Sequence, residues 1–240
     1  MKMKFLIGAA ILLASSQSMA GAIINGDIAN SCSLNGWETD TDGLGPGGSN
    51  DFTIVGSAPD CSIAINVDYW GANFTDVFFA NTLYQNLALS AAADSTFLLS
   101  FDFSVDSELT SADAGFIADY FAIGFGDGTG SLFDQYRKPG YLVAPTDIDG
   151  INQYSFSFEL DNSWVNQAGW ALEFQVLPGF DNNTLMGDFA GSSLYLQNVS
   201  LNEVPNATVD EAPVLAFFAL GLGLMAWRRN NSQQISRNEP

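Results

Sequence analysis

Flat aromatic faces and hydrogen-bonding groups come together most clearly in this 240-residue chain at Asp68-Tyr69-Trp70-Gly71-Ala72-Asn73. An aromatic ring stacks on the apolar face of a pyranose, while carboxylates and amides meet its hydroxyls. Asp68, Tyr69, Trp70 and Asn73 are therefore candidate sugar-binding residues, with Tyr136, Tyr141 and Trp164 as further loop aromatics. The competing reading places most of the 19 Phe and 5 Trp in a core, with Trp37 packing the first turn. Catalysis finds less support. The chain has no histidine, which excludes Ser-His-Asp and Cys-His arrangements. Paired carboxylates can hydrolyse glycosides, but 27 acidic residues make some close pair inevitable. Gly124-Phe125-Gly126-Asp127-Gly128 lacks the lysine and following helix of a phosphate loop. The chain reads as a non-enzyme.

Charge narrows the partners. Between residues 21 and 227 only Arg137 and Lys138 are basic, against 26 of the 27 carboxylates, a surplus of 24 negative charges. Such a field repels phosphate backbones and excludes nucleic acid as a partner. Cys32 and Cys61 are the only cysteines. An even pair in an oxidising compartment reads as one disulfide. Without histidine they cannot complete a zinc site of the usual kind. The segment Glu38 to Asn50 (ETDTDGLGPGGSN) inside their loop reads as turn chemistry throughout.

The elements that would position these residues are strands. Ser62 to Asp68, Thr96 to Val105, Tyr154 to Leu160, Trp170 to Val176 and Ser193 to Leu201 all alternate polar and apolar side chains. Tyr154, Phe156, Phe158 and Leu160 share one face, as do Leu99, Phe101, Phe103 and Val105. Gly124 to Gly130, Asp147 to Gly150 and Gly179 to Asn183 read as the turns between them. No amphipathic helix precedes residue 212. The expected fold is all-β, an antiparallel jelly-roll or β-sandwich over residues 21–203, followed by a C-terminal hydrophobic helix.

Both ends carry sorting information. Met1-Lys2-Met3-Lys4, the apolar Phe5 to Ala14 and the small-x-small Ser18-Met19-Ala20 form a signal peptide over residues 1–20. Cleavage after Ala22 is the alternative. At the other end an acidic spacer (204–211) leads into residues 212–229. There, Ala212 to Trp227 run uncharged for 16 residues into Arg228-Arg229, and a polar tail (230–240) follows. As a helix the run spans roughly 24 Å, short of the ~20 residues of a stable span. Glu211-Ala212-Pro213, the Leu/Gly/Ala-rich run and Arg228-Arg229 together resemble the PEP-CTERM sorting signals of Gram-negative bacteria. The first proline of that motif is absent here, and eleven residues follow the arginines. The resemblance implies an exosortase-type membrane protease as partner. It also implies Sec export, transient anchoring in the inner membrane and delivery to the cell surface or matrix. The alternative is a permanent single-pass anchor.

The body carries a second resemblance. Ile24-Asn25-Gly26-Asp27, then Asn35-Gly36-Trp37, Thr82 to Leu87, Thr96 to Asp102 and the closing Leu196-Gln197-Asn198-Val199-Ser200-Leu201 are similar to landmarks of galactose-binding-like jelly rolls. Those domains are common among carbohydrate-binding modules and open on an Asn-Gly-Asp strand. The resemblance implies a structural calcium near the first strand, with Asn25 and Asp27 as ligands. Ile28-Ala29 and Gln197 stand where the family places further acidic ligands. Calcium needs six to eight oxygens, so this set is depleted. The combined expectation is an exported, exosortase-sorted surface or matrix protein that binds polysaccharide. A purely structural surface protein and a glycoside hydrolase are the alternatives.

Overall fold

Thr96 to Val105 shows how the sequence builds its sheets. In the computed structural model Ser95–Asp106 is one strand in which Phe97, Leu99, Phe101, Phe103 and Val105 are buried and the intervening residues face out. A period of two is what a sheet with one wet face demands. The structure describes residues 23–41, 51–67, 80–90, 95–107, 110, 119–177, 179 and 192–205.

Ten strands are described: β1 (Glu38–Thr41), β2 (Phe52–Val55), β3 (Ser62–Val67), β4 (Asn81–Asn86), β5 (Ser95–Asp106), β6 (Tyr120–Gly126), β7 (Leu132–Phe133), β8 (Ile151–Leu160), β9 (Ala171–Leu177) and β10 (Ser192–Pro205). They form two five-stranded antiparallel sheets, ordered β2-β3-β10-β5-β8 and β1-β4-β9-β6-β7. From β3 to β6 the chain changes sheet at every step, and β8, β9 and β10 do the same after the β6-β7 hairpin. That alternation is the winding of a jelly roll. The inner faces share one core, in which Phe101 of β5 meets Phe174 of β9 edge-on with centroids 5.4 Å apart.

Most alternating segments are strands where the sequence places them. Two turn readings are corrected. Glu38–Thr41 pairs with β4 along four residues instead of turning. Gly124, Phe125 and Gly126 belong to β6, because their outer-face neighbours occupy the space a side chain would need. At Gly124 a Cβ would lie 3.1 Å from Leu132 Cβ. β10 continues to Pro205, whose partner is Ser95, so Val204 and Pro205 of the acidic spacer lie in the strand.

The opening segment is not the strand that its resemblance implies. Asp27 makes a single bridge to Asn198, beside a register shift between Leu196 and Asn198, and then caps a short helix, α1 (Ile28–Ser31). The carboxylate of Asp27 accepts from the Asn30 backbone N–H at 3.3 Å, the usual work of an N-cap. Cys32 then adopts a left-handed conformation and forms the expected disulfide with Cys61, just before β3. Buried Gln85 of β4 clamps the same segment. Its amide donates to Ile24 O at 2.9 Å and Gly36 O at 2.7 Å, and its carbonyl accepts from Ile24 N at 2.6 Å. Trp37 packs inward as expected, edge-on to Phe174, and donates to Asn25 O at 3.3 Å.

Among the described residues no helix is long and apolar enough to cross a membrane. Residues 1–22 and 206–240, with both sorting signals, lie outside the described residues, as do Asp68, Tyr69, Trp70 and Asn73.

Three chain segments converge on Asp119, which is 8% exposed. Its carboxylate accepts from Ser107 Oγ at 2.9 Å, Gly179 N at 2.7 Å and Ser192 Oγ. Hydrogen bonds to a charged group contribute more than neutral ones, and removing the acceptor strands three buried donors. Asp119→Ala is expected to destabilise the sandwich by about 3 kcal/mol, measured as a lower denaturant midpoint with an unchanged slope.

Candidate functional site

Among the described residues, the outer face of the β1-β4-β9-β6-β7 sheet holds a concavity. Inward Leu83, Leu172, Phe174, Phe121, Ile123 and Phe125 commit their strands to the core. Alternation therefore turns Thr82, Tyr84, Asn86, Ala171, Glu173, Gln175, Ala122, Gly124 and Gly126 outward. Directly opposed residues share a face, so the register arranges this surface in rows. Asp40, Thr82, Gln175 and Ala122 form one row, and Glu38, Tyr84, Glu173 and Gly124 the next. Asn86, Ala171 and Gly126 form the third. Long polar groups stand on β1, β4 and β9, and small residues stand on β6. That difference in height makes a groove of about 350 Å³, with Gly128, Gly130 and Gly169 on connecting turns at its margin.

The glycine of the third row is a requirement of the groove. A Cβ on Gly126 would sit 1.5 Å from Glu173 Oε1, so the carboxylate lies over the bare backbone. Gln175 Nε2 donates to Glu173 Oε2 at 2.9 Å and steadies it there. On the other side Glu38 accepts from the Tyr84 hydroxyl at 2.9 Å and from Asn86 Nδ2 at 3.0 Å. Thr82 lies between Asp40 and Gln175 and is 5% exposed, and its Oγ1 has no hydrogen-bond partner. Buried hydroxyls are nearly always paired.

A second aromatic feature lies on the same strand. Tyr120 packs edge-on to Tyr141, with centroids 6.2 Å apart, and donates to its hydroxyl. Burial, followed by this hydrogen bond, pushes the Tyr120 phenol above its ordinary value.

The residues singled out in the sequence fare differently. Tyr136 and Tyr141 are exposed, at 66% and 41%. Trp164 is corrected to a core residue. It is 2% exposed, with its ring centroid 4.3 Å from that of Phe125 and its indole N–H donating to Gln135 O at 2.8 Å. Asn25 and Asp27 come close in sequence but serve local structure. Asn25 Nδ2 donates to Ser33 O at 2.7 Å, and Asp27 also accepts from Asn30 Nδ2 at 3.0 and 2.9 Å. Among the described residues no group of three or more His, Cys, Asp or Glu is placed to hold a metal ion. Sequence reasoning passed over the groove because its residues are single polar positions scattered from 38 to 175. The polar alternation of Thr82, Tyr84 and Asn86 was the available signal.

No family model and no curated protein matches the chain. Solved structures give distant likenesses. A carbohydrate-binding module in complex with beta-1,4-galactotriose is 12% identical at a TM-score of 0.37, over 78% of this chain and 100% of that one. A non-crystalline-cellulose-specific module, CBM28, is 13% identical at a TM-score of 0.37, over 77% and 97%. The enzymatically active domain of tailspike protein 4 from bacteriophage CBA120 is 14% identical at a TM-score of 0.39 over 77% of this chain. This chain spans only 21% of the tailspike.

Electrostatics in the groove are legible in Tyr84. The hydrogen bond to Glu38, then burial and the charges of Glu38, Asp40 and Glu173, raise its phenol above 10.0. A raised phenol contributes stability that is complete below pH ~10 and is lost as pH rises through the folded value. Glu38→Gln is expected to return Tyr84 toward ordinary tyrosine behaviour. The check is the phenolate absorbance titration of Glu38→Gln, with Tyr84→Phe identifying the transition.

Proposed function

We propose that this protein is a non-catalytic polysaccharide-binding protein of the cell surface or extracellular matrix, with the groove on β1, β4, β9 and β6 as its binding site. The groove of stacked polar rows, with the Tyr84 ring beside carboxylate and amide groups, is the observation that carries the reading. A sugar hydroxyl is a donor and an acceptor at once, and it suits both a side-chain amide and a carboxylate. Tyr84 and the Tyr120–Tyr141 pair supply ring surface on the same face. Asp68, Tyr69, Trp70 and Asn73 add a further aromatic and polar cluster to the proposal.

Delivery rests on the two ends of the sequence. Residues 1–20 would direct export, and Glu211, Ala212, Pro213, Arg228 and Arg229 would present the tail to an exosortase-type protease.

Affinity electrophoresis of the full chain through gels containing a broad panel of soluble polysaccharides tests the reading. At least one polymer is expected to retard the wild type, and Tyr84→Ala to relieve most of that retardation. Thr82→Val is expected to keep Tm at or above the wild-type value, since it removes a buried hydroxyl that the folded protein leaves unpaired. Trp70→Ala reports whether the second cluster takes part. If no polymer retards the chain, the binding reading fails. A structural role then remains, seen as altered biofilm cohesion on deletion.

A further inference from the structure

Among the described residues the two sheets end in four edges, and three of them are short. β1 and β2 run four residues each and β7 two, whereas β8 runs ten. Among the described residues β8 pairs only with β5, in an unbroken register from Phe97↔Leu160 to Asp106↔Ile151. About half of its backbone N–H and C=O groups therefore point away from the sheet. Edge strands are ordinarily blunted by brevity, lysine, proline or a bulge. β8 has none of these devices: it reads INQYSFSFEL, and Glu159 is its single charge.

Tyr154, Phe156 and Phe158 line the inner face of β8 as a stripe of near-parallel rings, with successive centroids 6.1 and 6.2 Å apart. All three are only partly buried. On the outer face Ser155 Oγ donates to Asp102 Oδ1 at 2.6 Å, and Ser157 Oγ shares a hydrogen bond with Ser100 Oγ at 2.8 Å. Those two side chains lean toward β5. Gln153 and Glu159 are exposed toward the two ends of the same face, with no side-chain hydrogen bond among the described residues. Directly opposed residues share a face, so two copies can join with their aromatic stripes on one side only where like parity meets. Centring the pairing on Phe156 meets that condition and uses nearly the whole strand. Phe156 then faces Phe156 of the second copy, Tyr154 faces Phe158, and Ser155 faces Ser157. Glu159 faces Gln153, so the strand's one carboxylate meets an amide donor. Moving the centre to Ser155 or Ser157 would set Glu159 against Ile151 or Ser155 instead.

We propose that β8 is the interface of a symmetric homodimer, in which two copies pair antiparallel through this edge about a two-fold axis at Phe156. The two β2-β3-β10-β5-β8 sheets then form one continuous sheet, and the aromatic stripes run on across the junction. The contact is isologous and closed, since each copy uses its one long edge. Both copies are strongly acidic, so association strengthens as salt screens the charge of the bodies. A two-fold axis normal to the joined sheet leaves both β1-β4-β9-β6-β7 sheets on one side of it, with their outer grooves facing the same way. On the polysaccharide-binding reading, on which this last consequence alone rests, two grooves engage one polymer and gain avidity without a new contact.

Sedimentation velocity of the full chain tests the dimer without any ligand, in a mild detergent chosen to cover the apolar residues 212–227. A concentration-dependent dimer is expected, tighter at high salt than at low. Gln153→Glu sets two carboxylates opposite each other in this register, and the symmetry repeats the clash. It is expected to weaken the dimer about tenfold at low salt, with the far-UV circular dichroism unchanged. Adding Glu159→Gln exchanges the two side chains and is expected to restore the wild-type affinity, which a merely structural role for either would not do. A monomer at every concentration, or open-ended assembly in place of a dimer, overturns the proposal. A dimer indifferent to Gln153→Glu, or one that the exchange fails to restore, overturns the assignment to β8 in this register. Retardation by polysaccharide is measured separately, so a monomer that binds polymer and a dimer that binds none tell the two readings apart.

Discussion

Phe101 ties the sandwich together. Its ring meets Phe174 across the two sheets, and packs against Phe103, Phe156 and Phe158 within its own at centroid distances of 6.1, 5.9 and 5.8 Å. Aromatic pairs at these separations contribute beyond the area they bury. Once those rings point inward, the two-residue period leaves no choice for the rest of each strand. Phe174 inside means Glu173 and Gln175 outside, and Leu83 inside means Thr82 and Tyr84 outside. The groove is thus the outward side of the same constraint that makes the core. A one-residue slip of β9 would bury Glu173 and expose Phe174.

Strands were readable where alternation was strong and both faces kept their character, as from Phe97 to Val105 and from Tyr154 to Leu160. They were unreadable where small residues replaced side chains. β6 carries Gly124 and Gly126 because Leu132 and the Glu173 carboxylate fill the space above them, and a one-dimensional pattern cannot show what lies above a backbone. The candidate site failed to appear for a related reason. A contiguous cluster such as Asp68 to Asn73 is visible in a sequence, whereas Asp40, Thr82 and Gln175 become neighbours only through register. Trp164 drew attention as an aromatic in a loop, yet it closes the end of the core beside Phe125 and Trp170. The disulfide was legible from count and compartment alone.

Polar satisfaction separates the two ends of β4. Gln85, turned inward, makes three hydrogen bonds that hold the opening segment. Thr82, three residues earlier on the opposite face, is buried with none. The same strand therefore pins the opening segment through one face and carries a buried, unpaired hydroxyl on the other.

β10 is the last of the described strands and sits in the middle of its sheet, paired on one side with β3 and on the other with β5. Between the end of β3 at Val67 and its start at Ser192 lie 192 − 67 = 125 positions, and from the end of β5 at Asp106 it is 192 − 106 = 86. Until residues 192–205 arrive, β3 and β5 each lack a neighbour, and the inner rings of the sheet have no continuous surface to pack on. Pairing across so long a stretch of chain must meet its loop-closure cost before the contacts reward it, which makes the docking of β10 the slow, sheet-completing event of folding.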